Sequence, residues 1–253
     1  MTGSTPQTAV RAIFKVLEAV RGPDKLKPSA CIRESTPARL HVEEMPEVYS
    51  RLAPLYKIWQ RLVHRRSLQA ALELAAVRNG ERVLEVAVGP GTVFESLART
   101  NTAGLTIGTD LTPTMLESTR RRLEHASLTK PCLCLSDARR LPFPDASFDL
   151  VFSSYFFDLL SAVDIETALG EMRRVLRPSG RLVVVYLLCG DPPGKNSFDR
   201  LWNALCLLAP VLLGGCRPIS LTSCLPTAGF SITGRRQITE LGIPAEIILA
   251  KKI

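Results

Sequence analysis

Early in the chain, hydrophobic positions recur at intervals of three and four, and later they gather in short unbroken runs. Between Ala9 and Arg21, the polar residues Arg11, Lys15, Glu18 and Arg21 leave Val10, Ile13, Phe14, Leu17 and Val20 on one side. That spacing predicts a helix, ended by Gly22-Pro23. Residues 24–45, with Pro28, Pro37 and mixed charges, read as linker or loop. From Pro46 the stripe Val48, Leu52, Leu55, Trp59, Leu62 and Val63 predicts a second helical region, broken or kinked at Ala53-Pro54. A further helix is expected from Ser67 to Val77, capped at Asn79-Gly80.

The pattern then changes to valine-rich runs alternating with amphipathic stretches. Strands are predicted at Arg82–Val86, Leu105–Thr109 (ending in Asp110), Cys132–Ser136, Phe148–Ser153 and Arg181–Leu188. Helices are predicted at Thr92–Arg99, from Pro113 with Thr112 as cap, and at Ile165–Leu176, stopped by Pro178-Ser179-Gly180. Strands separated by helices at this spacing imply a doubly wound α/β fold, with a mostly parallel sheet covered on both faces. Phe198–Leu213 reads as an apolar helical region interrupted by Pro210. Phe230–Thr239 and Ala245–Lys251 read as two strands pairing antiparallel at the sheet edge. The organisation expected is an N-terminal helical extension and linker (1–45), then one α/β domain (46–253) whose residues 195–225 form a variable substrate or lid region.

Composition narrows the picture modestly. Over 253 residues, 46% hydrophobic and 22% charged, the chain can bury one good-sized core, and a net charge of +8 favours an anionic partner or surface without choosing one. Seven cysteines lack Cys-x-x-Cys spacing, and His41, His64 and His125 stand apart from them, so no metal site is expected and reduced thiols in a cytoplasmic setting are. No run reaches the eighteen or so apolar residues of a membrane span, and no secretory signal is recognisable. An excess of Lys and Arg in the first forty residues leaves an organellar transit peptide open.

Three features converge on the carboxyl ends of the predicted strands, where doubly wound sheets bind ligands. Ala87 to Gly91 form a glycine turn whose backbone can approach a ligand closely. Asp110 ends the next strand, where a carboxylate can accept bonds from both ribose hydroxyls. Asp137-Ala138 follows the third strand, placed to receive an adenine amino group. Ser153-Ser154-Tyr155-Phe156-Phe157-Asp158 follows the fourth strand at the mouth of the same region. There Asp158 reads as a base, as a group that holds an amine, or as a helix-start carboxylate, the last being favoured.

Four segments carry a family resemblance: Val83 to Gly91 (VLEVAVGPG), Gly108 to Leu116 (GTDLTPTML), Ser136 to Val151 (SDARRLPFPDASFDLV) and Glu171 to Leu182 (EMRRVLRPSGRL). In this order they resemble the successive motifs of Rossmann-like, class I S-adenosylmethionine-dependent methyltransferases over about residues 46–190, and in particular the ubiquinone/menaquinone C-methyltransferases and related small-molecule enzymes. Tyr49 to Tyr56 is similar to the segment preceding the first strand in that group. The resemblance implies S-adenosylmethionine as cofactor, with Glu85, Ala87, Gly89 and Gly91 framing its methionine portion and Asp110 on its ribose. It also implies Leu111 and Met115 near the adenine, Asp137 and Ala138 at the adenine amino group, Ser154 at the pocket mouth and Tyr56 closing the site.

Two positions depart from the pattern. Ala87 stands where the family has its first glycine, and an alanine fits there if its local dihedrals are negative. Lys57 stands where the quinone group prefers an aspartate. Ser-Ser-Tyr-Phe after the fourth strand lacks the Asn/Asp-Pro-Pro-Tyr that grips nucleobases, which counts against a nucleic-acid acceptor. The partner implied is a small lipophilic methyl acceptor, recognised by the N-terminal helices and by the apolar stretch holding Leu201, Trp202, Leu205, Leu208, Leu212 and Leu213. Such a stretch beside a basic surface leaves peripheral membrane contact open. A binding or assembly module of the same fold without catalysis, and an RNA or protein methyltransferase, also stay open at this point.

Overall fold

The computed structural model describes residues 32–34, 64–190, 197–208 and 216–253. The expected helices within 9–21 and 46–63, Tyr56, Lys57 and the end of the apolar stretch at Leu212 and Leu213 lie outside them. In chain order the elements are β1 (Arg33–Glu34), α1 (Arg65–Ala75), β2 (Arg82–Val86), α2 (Thr92–Thr100), β3 (Leu105–Asp110), α3 (Pro113–His125), β4 (Cys132–Leu135), β5 (Phe148–Ser154), α4 (Ala162–Val175), β6 (Leu176–Leu187), α5 (Ser197–Leu208), β7 (Ile219–Ser220), α6 (Cys224–Thr227), β8 (Phe230–Glu240) and β9 (Ile243–Lys252), with a 3-10 turn at Phe157–Leu159 before α4.

Seven strands form one sheet in the order β4-β3-β2-β5-β6-β9-β8. The first five run parallel; β9 pairs antiparallel with β6, and β8 with β9. From β2 the chain winds outward through β3 to β4, then returns to begin β5 on the other side of β2. The winding therefore reverses between β2 and β5, where such sheets leave a crevice beyond their carboxyl ends.

Period-two alternation assigns each strand side chain to a face. Leu182, Val184 and Tyr186 of β6 join Leu84 and Val86 of β2 in a core covered by Ile165, Ala168, Leu169 and Met172 of α4. Val183, Val185 and Leu187 join Val83, Leu150 and Phe152 in a second core, covered by Leu68, Ala71 and Ala75 of α1, Val93 and Leu97 of α2, and Trp202 of α5. This is the doubly wound α/β fold expected, with both faces covered and an antiparallel addition at one edge.

Four local expectations are corrected. Helix α1 ends at Ala75, short of Asn79-Gly80, because Ala76 turns left-handed and Arg181 donates from Nε to the Ala75 carbonyl (2.8 Å). Pro178-Ser179-Gly180 does not stop the preceding helix: α4 passes at Leu176 directly into β6, and the tripeptide lies in an irregularity between the Phe148↔Leu176 and Leu150↔Arg181 pairings. The start of α4 is fixed at Ala162 by a reciprocal cap, in which the Asp164 N–H donates to Ser161 Oγ (3.2 Å) and Ser161 Oγ donates to the Asp164 carboxylate (2.6 Å). Finally, residues 32–34 are not loop: Arg33–Glu34 pairs antiparallel with Ile219–Ser220, and Ile32 is buried in the first core.

Candidate cofactor site

The turn after β2 is built from three left-handed residues, Ala87 (φ 61), Gly89 (φ 53) and Gly91 (φ 77). It is tied down from several sides: the Val88 N–H donates to the Thr109 carbonyl and the Gly91 N–H to the Val88 carbonyl, both 3.0 Å. Helix α3 grips it as well, through Thr119 Oγ1 to the Gly89 carbonyl (2.8 Å) and Arg122 Nε to the Pro90 carbonyl (2.8 Å). A Cβ at Gly91 would lie 2.7 Å from the Thr119 side chain, so that glycine permits helix packing, whereas nothing stands within 4 Å of a Cβ at Gly89, which is open for a ligand.

Ala87 departs from the expectation of negative dihedrals. A non-glycine residue in the left-handed region costs roughly 1–2 kcal/mol, because its Cβ crowds the following carbonyl. Ala87→Gly relieves that strain, partly offset by the greater freedom of the unfolded chain, and is expected to raise the melting temperature by about 2 °C. A lower melting temperature in a thermal scan would show that packing of the Ala87 methyl outweighs the strain.

Two carboxyls form the floor. Asp110, at the end of β3, accepts the Gly89 N–H on Oδ2 (2.8 Å) and the Thr112 N–H on Oδ1 (2.9 Å), so it fixes both the glycine turn and the start of α3. Thr112 holds the N-cap position of α3 without a side-chain cap bond, and its own backbone N–H is held by Asp110. Burial raises the Asp110 pKa, and the N–H bonds from Thr112 and Gly89 oppose it. Glu85 is buried, with Oε2 lacking any hydrogen-bond partner. Burial, and then the charge of Asp110, hold its carboxyl well above the usual range.

The opposite end is set by Asp137, after β4. Burial alone would raise its pKa, but Arg139 outweighs that, donating from its backbone N–H to Oδ1 (2.8 Å) and from Nη2 to Oδ2 (2.8 Å), and holds the carboxyl below the usual range. Arg139 Nη1 also reaches Asp164 at the start of α4 (3.0 Å). The apolar side comes from Met115, Phe156, Leu159 and Leu160. Tyr155 follows β5 in a left-handed conformation (φ 51) and is among the residues lining the cleft; its side chain reaches α1, with the hydroxyl 2.7 Å from Ser67 Oγ and the ring 3.8 Å from that of His64. Burial keeps His64 neutral, lowering its pKa to about 4.

Glu85, Ala87, Gly89, Asp110, Leu111, Met115, Asp137, Ala138 and Ser154 thus line one cleft of about 870 Å³, open mouth included. Gly91 is not on its wall. Sequence reasoning placed Phe156 at the pocket mouth but missed Thr112, Arg139, Leu159 and Leu160, although Arg139 stands only two residues from Asp137.

A methyltransferase-domain family model matches residues 83–180, which span the turn, both floor carboxyls and Asp137. The chain is 31% identical to the demethylmenaquinone methyltransferase of Thermus thermophilus, over 78% of this chain and 97% of that one. The chain belongs to the class I S-adenosylmethionine-dependent methyltransferases. This methyltransferase is also 32% identical to the ubiquinone/menaquinone biosynthesis C-methyltransferase of Cupriavidus necator, over 64% of this chain, and spans 63% of that relative's length. Among solved structures, the N-methyltransferase NodS of Bradyrhizobium japonicum in complex with S-adenosyl-L-homocysteine shares the fold, with a TM-score of 0.64 at 16% identity over 83% of this chain and 98% of that one.

The residues present fit S-adenosylmethionine, the cofactor of the family. The buried, unpartnered Glu85 Oε2 calls for a donor such as an ammonium group, the two floor carboxyls favour a cationic ligand, and Gly89 leaves room for close approach. The cofactor supplies an activated methyl group, and the protein's part is to position it, align an acceptor and exclude water.

Proposed function

We infer that this methyltransferase transfers a methyl group to a ring carbon of a small apolar acceptor, a reduced prenylated naphthoquinone being the class that fits best. The observation that carries this reading is the match to the demethylmenaquinone methyltransferase over 97% of that enzyme's length. The apolar wall of Phe156, Leu159 and Leu160 supports it, since a lipophilic acceptor needs a dry surface beside the methyl group. In this reading Asp110 takes the ribose hydroxyls, Glu85 the amine and Asp137 the adenine amino group. Leu111, Met115 and Ala138 enclose the adenine; Ala87, Gly89 and Gly91 shape the backbone around the methionine portion, Ser154 stands at the mouth and Tyr56 closes it.

An acceptor of this class resides in a bilayer. Leu201, 62% exposed on α5, follows the exposed Arg200, and the pair supports a shallow contact with an anionic lipid surface. Among the described residues no helix is long and apolar enough to cross a membrane.

The test is incubation of the protein with methyl-labelled S-adenosylmethionine and a short-chain demethylmenaquinol kept reduced. The expected product is extractable into organic solvent and carries one added methyl on the ring. Absence of that product from a protein that binds S-adenosylhomocysteine would contradict the reading.

A further inference from the structure

Acidic side chains stand at the carboxyl ends of four parallel strands: Glu85 in β2, Asp110 ending β3, Asp137 after β4 and Asp158 after β5. Asp158 is fully buried in the 3-10 turn at Phe157–Leu159, ahead of α4 rather than at the helix start that the sequence favours, and is not on the cleft wall. The other three line the cleft, and among the described residues only Asp137 is held by a cation.

That cation, Arg139, holds it as a fork. Nε and Nη2 donate to Oδ2 (3.0 and 2.8 Å), while Oδ1 accepts the Arg139 backbone N–H (2.8 Å) and shares Nε at 3.2 Å. Nη1 donates to Asp164 Oδ1 (3.0 Å), and Asp164 is itself fixed by Ser161 at the start of α4. The guanidinium therefore ties the segment after β4 to the one carrying Leu159 and Leu160, both on the cleft wall.

Folding alone gives little reason for this bracket. The Arg139 and Asp137 side chains are 27% and 31% exposed, and ion pairs open to water add little stability. What the fork fixes is the direction of a carboxylate that follows a strand end, where an unpartnered side chain turns among several rotamers. It also rations acceptors. An ionised carboxylate offers about four lone-pair sites, and the Arg139 backbone N–H, Nε and Nη2 take three of them, which leaves about one.

We propose that Arg139 is a positioning residue for base selectivity: it presents Asp137 as a fixed carboxylate with one acceptor site left, for the amino group of the cofactor's adenine. The inference rests on the reading that Asp137 receives that amino group. A donor meeting an already immobilised carboxylate does not have to order it, so the fork strengthens the bond. Burial would raise the Asp137 pKa, and Arg139 outweighs it, so the carboxyl stays ionised and can only accept. A base with a carbonyl in place of the amino group sets acceptor against acceptor and is rejected.

The experiment measures dissociation constants of S-adenosylhomocysteine and S-inosylhomocysteine, in which the amino group is replaced by a carbonyl, for wild type, Arg139→Ala and Arg139→Lys. Wild type is expected to prefer the adenosyl ligand by about tenfold or more, because a site built for a donor is left unpaired by an analogue lacking it. In Arg139→Ala the adenosyl affinity should fall about tenfold, or about 1.4 kcal/mol, with the inosyl affinity within about threefold of wild type, so that the preference collapses. Arg139→Lys keeps the charge without the fork and should lie between the two. A thermal scan of Arg139→Ala should fall within about 3 °C of wild type, as a pair open to water implies. An unchanged preference in both variants, or equal weakening of both ligands, overturns the proposal; the latter would make the bracket structural only. Wild type that binds both ligands equally removes Asp137 from the base, and this assignment with it, whereas wild type that binds neither removes the cofactor reading itself.

Discussion

Replacing Arg217 with alanine is expected to lower the melting temperature by on the order of 10 °C, the largest effect on stability of any single substitution considered. Arg217 is 1% exposed and joins three parts of the chain: its guanidinium donates to Glu34 Oε2, and its backbone and Nη1 donate to the Asp158 carbonyl. Breaking a buried ion pair from one side costs about 3–5 kcal/mol, because the remaining charge stays buried without compensation. The Glu34 side chain is 23% exposed, so water screens part of that cost and the lower end, about 3 kcal/mol, is expected. At about 2–4 °C per kcal/mol for a chain of this size, the shift follows. Glu34→Gln keeps an acceptor for the guanidinium and should cost less. A thermal scan in which Arg217→Ala melts within 2 °C of wild type would mean that residues 32–34 are not held by this pair.

The largest effect on binding is expected for Asp110→Asn, with cofactor affinity falling by about 10²–10³-fold. Hydrogen bonds to a charged acceptor are worth about 1.5–3 kcal/mol each, and two ribose hydroxyls are assigned to this carboxylate. The amide keeps the shape but turns a donor toward one of the N–H groups of Gly89 and Thr112 that the carboxylate now satisfies. The same carboxyl gives a pH dependence. Burial raises its pKa in the folded protein, so its ionised form, which accepts these bonds, is lost as pH falls through that raised value. Wild-type affinity should therefore weaken on acidification, whereas Asp110→Asn should be weak and flat across the same range. Equilibrium dialysis at several pH values distinguishes the two, and equal affinities at neutral pH would remove Asp110 from the site.

Much of the fold is legible in the sequence where the determinants are local. Runs such as Val83-Leu84-Glu85-Val86 and Arg181 to Leu187 specify strands by their own side chains, and a strand end places Asp110 and Asp137 at the same edge whatever the rest of the chain does. What escapes is set by contacts distant in sequence. Nothing near Ala75 announces that Arg181 will hold its carbonyl, and nothing near Ile32 announces that Arg217 will hold the neighbouring Glu34. The left-handed Ala87 belongs to the same class, since Val88 bonded to Thr109 and Asp110 bonded to Gly89 impose its dihedrals. By contrast, the start of α4 is written locally, in the pairing of the Ser161 hydroxyl with the Asp164 N–H and carboxylate.

The site divides in the same way. The residues proposed for the cofactor lie at strand ends and are found by motif, whereas the apolar side of the cleft is assembled from Met115 of α3 and from Phe156, Leu159 and Leu160 around the Phe157–Leu159 turn. No single stretch of sequence announces that assembly.

The cleft between β2 and β5 is expected to bind S-adenosylmethionine through Asp110 and Glu85. Calorimetric titration of the folded wild-type protein with S-adenosylmethionine and S-adenosylhomocysteine tests it most directly. Both ligands should show saturable one-site binding, weakened by the Asp110→Asn substitution at unchanged folding. A folded wild-type protein that gives no binding heat and no ligand-induced rise in melting temperature would contradict it.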